Sequence, residues 1–250
     1  MASKEEATQV ATHGINMNRS LPSISFCIIT NGKRPWKLNR LIRSIKRLEI
    51  PSYEIIICGD LSSPPPGVVY ITDTISALSG KLGRMRNKAC EAASSDIIVV
   101  TDDDVLFDRS FYTQLCQCDL DFDVACTRFL NPDGSRYWDW AIANANEHRL
   151  IPYDQHHEDI YVTGGRCLIN KRALAKARWN ESLGFYQGED LDYSKALRDN
   201  GLDVVLFQNL VIIHNDWRYS QKFAKVKRYG LPRVILRMFL RKLGLVKNEI

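Results

Sequence analysis

Asp102, Asp103 and Asp104 stand directly after the apolar run Asp96–Thr101 (DIIVVT). Three consecutive carboxylates repel one another, and the cost rises beside a buried strand unless a cation sits among them. Alternation along the chain lets Asp102 and Asp104 face one cation while Asp103 turns aside. Such oxygen ligands suit Mg²⁺ or Mn²⁺, above all when phosphates from a substrate complete the shell. A solvated acidic turn capping the next helix is the competing explanation. Asp108 is the better N-cap, however, because Phe111, Gln114 and Leu115 follow it at helical spacing.

A second acidic group lies in Gly184–Asp192 (GFYQGEDLD), ahead of YSKALRDNG. A helix starting at Gln187 or Gly188 would carry Glu189, Asp190 and Asp192 in its first turn. The helix dipole favours acids there, so that placement alone could account for them. Upstream, Thr163-Gly164-Gly165 precedes Arg166–Ile169. Its glycines either let the backbone approach a ligand closely or simply make a tight turn. Arg86 can pair bidentately with an acidic group, or it is a charge on a helix surface. His214 closes the apolar run VIIH, and a lone histidine there is more often structural than a ligand.

The elements that must position these residues follow from apolar patterning. Buried strands are expected at 23–30, 53–58, 68–71 and 96–101. A helix begins at Pro35, with Leu38, Leu41, Ile42, Ile45 and Leu48 on one face. Another covers 81–93, with Leu82, Met85, Ala89 and Ala92 inward. Beyond the aspartates we expect a helix over 108–117, a strand near 123–129 and an irregular polar and aromatic stretch from 131 to 158. A strand near 160–169, helices at 171–178 and 188–200, and strands at 203–207 and 210–214 complete the series. The alternation predicts an α/β fold, a mostly parallel sheet flanked by helices on both faces. Ligands bind beyond the carboxyl ends of such strands, where Thr30-Asn31, Gly59-Asp60 and the aspartates fall.

The 250 residues suit one large domain; 45% are hydrophobic and 25% charged, as in ordinary globular proteins. Seven scattered cysteines, with no zinc-type pair, read as free thiols of a reducing, cytoplasmic protein. No apolar run reaches the roughly 18–20 residues of a membrane span. The net charge is +5, yet Arg218 to the end carries +9, leaving −4 on the remainder. We therefore expect a loose tail at 1–21, a domain at 22–216 and a basic, partly amphipathic helical tail at 217–250. In that tail Arg233, Arg237 and Arg241 follow Pro232 on one face. It either lies against a membrane surface or packs back on the domain. Nucleic acid is not an expected partner, since no recognised module accompanies the basic charge.

Taken in order, the motifs resemble those of GT-A fold glycosyltransferases, in particular glycosyltransferase family 2, over about residues 22 to 216. The segment Gly83–Asp104 (GRMRNKACEAASSDIIVVTDDD) is similar to the family's Arg-Asn pair, alanine-bearing helix, apolar strand and DxD. The resemblance implies a metal-dependent, inverting transfer of a sugar from a nucleoside-diphosphate sugar, of UDP or GDP type, to an acceptor hydroxyl on a glycan, glycolipid or glycoprotein. It implies donor contacts from Thr30, Asn31, Gly32, Asp60, Arg86 or its neighbour Lys88, Asp102 and Asp103, although Thr30-Asn31-Gly32 departs from the family's usual loop. Asp60 would accept a base N–H, or it is only a turn residue. Metal ligands would be Asp104, Asp102 and His214, holding Mn²⁺ or Mg²⁺. Gly188-Glu189-Asp190 resembles the E-D motif of inverting members, with Asp190 as general base and Glu189 orienting it or substituting for it. Gly164, Gly165, Trp138 and Tyr186 would meet the sugar or acceptor, the rings by stacking on sugar C–H faces. The alternative is a non-catalytic sugar- or lipid-binding module that keeps the fold.

Overall fold

The computed structural model describes residues 22–144 and 147–215. The expected tails at 1–21 and 217–250, including the helix after Pro232, lie outside the described residues.

The first half alternates strand and helix. Strand β1 (Ile24–Thr30) leads to helix α1 (Pro35–Lys46), then β2 (Tyr53–Gly59) and β3 (Val69–Thr72). Two short helices, α2 (Thr74–Ser79) and α3 (Leu82–Glu91), precede β4 (Ile97–Asp102). Strands β1 to β4 pair in parallel, with β1 in the middle. All seven residues of β1 are buried, and their alternation serves two cores. Cys27 and Ile29 pack with Met85, Ala89 and Trp179 on one face. Phe26 and Ile28 meet Leu38, Leu41, Ile45 and Phe111 on the other.

The second half turns the sheet mixed. After the aspartates come β5 (Val105–Phe107), α4 (Phe111–Leu115) and β6 (Val124–Leu130), followed by the small pair β7 (Ala141–Ala143) and β8 (His148–Leu150). Strand β9 (Arg166–Asn170) runs antiparallel between β4 and β6. A 3-10 turn (Lys171–Ala175), helix α5 (Glu189–Asp199) and the long β10 (Val204–His214) complete the fold. The eight-stranded order is β3-β2-β1-β4-β9-β6-β10-β5.

Several expectations need correction. Helix 171–178 is only a 3-10 turn, and the strand expected from 160 begins at Arg166. Two expected strands at 203–214 are one, with a register break between Phe207 and Val211 where exposed Gln208 and Asn209 leave the ladder. Helix α3 stops at Glu91, so Ala92 is exposed and Ala93 takes the inward place. Asp108 caps no helix: its Oδ1 accepts from the N–H and hydroxyl of Ser110, which is the N-cap of α4.

Candidate active site

The carboxyl ends of β1 and β4 open onto a cleft of about 800 Å³. Thr30, Asn31, Arg34, Arg86, Asp102, Asp103, Asp104, Trp138, Tyr161, Tyr186, Glu189, Asp190 and His214 all line it. Residues 80 or more positions apart in sequence therefore share one wall.

The three aspartates diverge. Asp102 ends β4, and its carboxylate meets Arg86 at 3.2 Å. Asp103 turns inward and is buried; the Thr30 hydroxyl donates to it at 2.6 Å, and Arg34 Nη2 lies 3.2 Å away. Burial pushes its carboxyl up to about 6, against the Thr30 hydrogen bond and the Arg34 charge. Asp104 receives Arg34 Nη1 at 3.3 Å, and its Oδ2 is 3.9 Å from His214 Nε2. That last approach follows from topology: β5 pairs antiparallel with the end of β10, Val105 opposite His214. The Asn215 N–H also donates to the Asp104 carbonyl at 2.7 Å. The buried imidazole stacks on Tyr137, 5.5 Å between centroids.

Arg86 is the hub of the other half. It projects from α3, only 2% of its side chain exposed, so the helix-surface alternative does not hold. Nη2 reaches Asp102; Nη1 reaches Asp190 at 3.3 Å and Glu189 at 3.7 Å. Burial alone would lower the pKa of the guanidinium, but these carboxylates, Asp102 foremost, raise it above the ordinary value. The neighbouring Lys88 turns away to Asp73 at 2.6 Å. Asn87 clamps the 179–181 segment, donating to the Trp179 carbonyl and to Glu181.

Asp190 is fixed from three directions. The Tyr161 hydroxyl donates to Oδ2 at 2.8 Å, the Gly164 N–H to Oδ1 at 2.9 Å, and Arg86 to Oδ1. A carboxylate offers about four acceptor sites, so about one remains for an incoming hydroxyl. Ser194 ties α5 to the preceding segment, donating to the Asp190 carbonyl and accepting from the Val162 N–H. Burial, then the Asp190 charge, raise the pKa of Glu189 against the pull of Arg86. Burial and the adjacent Asp190 likewise raise that of Tyr161, keeping its hydroxyl a donor.

The paired glycines serve close approach. A Cβ at Gly164 would lie 2.5 Å from both Arg86 Nη1 and Asp190 Oδ1; one at Gly165 would lie 2.3 Å from Asp102 Oδ2. They stand behind the cleft and admit the charged cluster rather than line the wall. Gly32 turns the loop after β1 with φ +72°, and a Cβ there would fall 1.8 Å from the Asp60 carbonyl oxygen. Asp60 itself lies off the cleft wall and accepts from the Thr74 hydroxyl at 2.9 Å.

Trp138 stacks on His148 at 4.5 Å, an interplanar angle of 14°. Tyr186 adopts φ 62° and pairs with Phe185, both half-exposed, beside Leu78 and Leu191 on an apolar rim. The sequence reading did not single out Tyr161, Arg34, Phe185 or Leu191. Tyr161 sits just ahead of the glycine turn and Arg34 just after the β1 loop, positions that could have drawn attention.

Among the described residues, no three His, Cys, Asp or Glu form a ready metal cage. Hard divalent cations commonly take one or two protein ligands and complete the shell with substrate phosphates. Asp104 Oδ2 and His214 Nε2 are 3.9 Å apart, whereas two adjacent ligands at about 2.1 Å on an octahedral ion stand about 3 Å apart. The pair offers the donor atoms for such an ion and would draw together by about 1 Å around it.

No family model and no curated protein sequence matches the chain. Solved structures do match. GalNAc-T7 with UDP, GalNAc and Mn²⁺ superposes with a TM-score of 0.57 at 14% identity, covering 79% of this chain and 44% of that one. TarS of S. aureus gives 0.57 at 14% identity over 78% of this chain and 37% of its own, and its fragment 1-349 gives 0.53 over 78% and 58%. The chain thus has the GT-A fold of glycosyltransferases. It spans between about a third and three fifths of the length of these neighbours. No helix among the described residues is long and apolar enough to cross a membrane.

Proposed function

We propose that this protein is a metal-dependent, inverting glycosyltransferase resembling family 2, using a UDP- or GDP-type sugar donor and Mn²⁺ or Mg²⁺. The observation that carries the reading is the bridge made by one buried guanidinium. Arg86 joins Asp102, at the donor end of the cleft, to Asp190 at the N-terminus of α5. The GT-A fold, and the UDP and Mn²⁺ in the GalNAc-T7 structure, support glycosyl transfer from a nucleotide sugar; the inverting outcome and the family 2 likeness rest on the motifs.

In this reading Asp104 and His214 would hold the cation, with Asp102 beside them; Thr30, Asn31 and Asp103 serve the nucleotide from the cleft wall, and Gly32 and Asp60 shape the loop behind them. The bound cation supplies charge stabilisation for the departing nucleoside diphosphate. Asp190 takes the acceptor proton through its remaining acceptor site, while the acceptor oxygen attacks the anomeric carbon and the diphosphate leaves from the opposite face. Glu189, with its raised pKa, is the second candidate for base. Trp138 and Tyr186 offer ring faces to the sugar or acceptor, which is a glycan or a lipid-linked glycan. Contact with a membrane through the basic tail at 217–250 belongs to the same reading. A binding module that keeps the fold is the rival class.

The test is thermal stabilisation by UDP-, GDP- and dTDP-sugars, each with Mn²⁺, Mg²⁺ or chelator, followed by turnover assays on the donors that bind. At least one donor should raise the melting temperature only with a divalent cation, and turnover should follow. Stabilisation without turnover would favour the binding module; no stabilisation by any donor would remove the donor site.

A further inference from the structure

Arg34 holds the position that the cation would need. Its Nη2 contacts Asp103 Oδ1 at 3.2 Å and its Nη1 contacts Asp104 Oδ2 at 3.3 Å. The same Asp104 Oδ2 faces His214 Nε2. The carboxylate oxygen that would hold a divalent ion together with His214 is thus already engaged by an arginine. Two cations crowded at one oxygen repel strongly where water is partly excluded. Cation binding therefore requires Arg34 to let go of Asp104.

The arginine is built to do so. Its side chain is 39% exposed, against 2% for Arg86, and it lines the cleft from the N-cap of α1. Released, it presents a planar fork of donors at the wall where a diphosphate would lie. That fork matches phosphate oxygens.

We propose that Arg34 is a phosphate-binding residue that exchanges partners. It neutralises Asp103 and Asp104 before the donor arrives, and moves to the donor diphosphate when the cation takes Asp104. This rests on the donor-site reading above. The consequence is linkage: a cation alone must displace Arg34 from Asp104, whereas a cation with a diphosphate also gives it a new partner. The two ligands then bind cooperatively, and each tightens the other by the same factor.

The test compares the full chain with Arg34→Gln and Arg34→Lys, with circular dichroism as a check on folding. Mn²⁺ binding is read by electron paramagnetic resonance, and UDP or GDP binding by calorimetry with and without Mn²⁺. In the unaltered protein, nucleotide should tighten Mn²⁺ binding by about tenfold or more. In R34Q, Mn²⁺ alone should bind about tenfold tighter and nucleotide in saturating Mn²⁺ about tenfold weaker, and the coupling should fall to the part that direct coordination of phosphate to the ion supplies. R34K keeps the charge but loses the fork, so it should move both affinities in the same directions by less, and it carries the test if R34Q does not fold. If either folded variant weakens Mn²⁺ and nucleotide together, or leaves Mn²⁺ binding unchanged, Arg34 is a structural clamp and the exchange is wrong. If the unaltered protein binds neither UDP nor GDP in the presence of Mn²⁺, the donor-site reading fails and takes this inference with it.

Discussion

Arg86 and Arg34 neutralise the same row of aspartates but live in different surroundings. Arg86 is buried against Trp179, with its ring 6.0 Å from the guanidinium carbon, and engages Asp102, Glu189 and Asp190 from two other elements. Arg34 stands at the mouth of the cleft and engages two adjacent aspartates of one turn. A buried, multiply paired cation is a permanent part of the fold, since losing it strands several charges. A half-exposed cation can be exchanged for a ligand. In the proposed function the acidic site thus has a fixed half, on the acceptor side, and an exchangeable half, which would receive metal and phosphate.

The comparison can be broken most sharply by chemistry on the fixed half. Asp190→Asn should lower turnover by about 10²–10⁴-fold while donor binding measured by calorimetry persists, as expected for loss of a general base. A larger loss in Glu189→Gln would transfer that role to Glu189. Next comes stability. Arg86→Met removes the buried cation shared by three carboxylates at the cleft wall and should cost about 3 kcal/mol by chemical denaturation. Arg34→Gln, at a half-exposed site, should cost about 1 kcal/mol or less. Equal losses would erase the distinction between the two arginines. Gly164→Ala would wedge a methyl between Arg86 and Asp190, and a displacement of about 1 Å there should lower activity by about 10²-fold. Its melting temperature should fall less than that of the Arg86 variant.

The smallest effect lies at the opposite end of the sheet. There Glu54 Oε1 accepts from Ser25, the Ser94 N–H and the Ser94 hydroxyl, with no arginine involved. Partial burial acts to raise its pKa, but these hydrogen bonds outweigh it, and the carboxyl sits below its usual 4.5. A depressed folded pKa contributes stability above the unfolded value and loses it as pH falls through the folded one. Glu54→Gln should therefore narrow the stability gap between neutral pH and pH below 4.5, with little change in turnover at neutral pH.

Much of the first half was legible because buried strands write unbroken apolar runs: Ile24–Thr30 and Ile97–Asp102 stand within a residue of where the pattern puts them. Strand β5 was not, since three residues carry no period and its pairing with β10 is non-local. Helix α2 hid behind its small size, although Asp73, which accepts from the Ser76 N–H, is an ordinary cap. In the site, the acidic residues announced themselves by type. Their partners did not. Arg86 reads as one arginine among many until the fold buries it, and Tyr161 becomes a donor to Asp190 only because the segment ahead of β9 is tied to α5 through Val162 and Ser194. The expectation that Asp102 and Asp104 face one cation also missed the two arginines that divide them.

The most direct test of the account is calorimetric titration of UDP and GDP into the protein with Mn²⁺ and with chelator, repeated on Asp104→Asn. The account predicts binding by at least one nucleotide that needs Mn²⁺ and falls by about tenfold or more in the variant, as removal of a metal ligand should cause. Binding of equal strength in chelator, or an Asp104 variant indistinguishable from the parent, would contradict it.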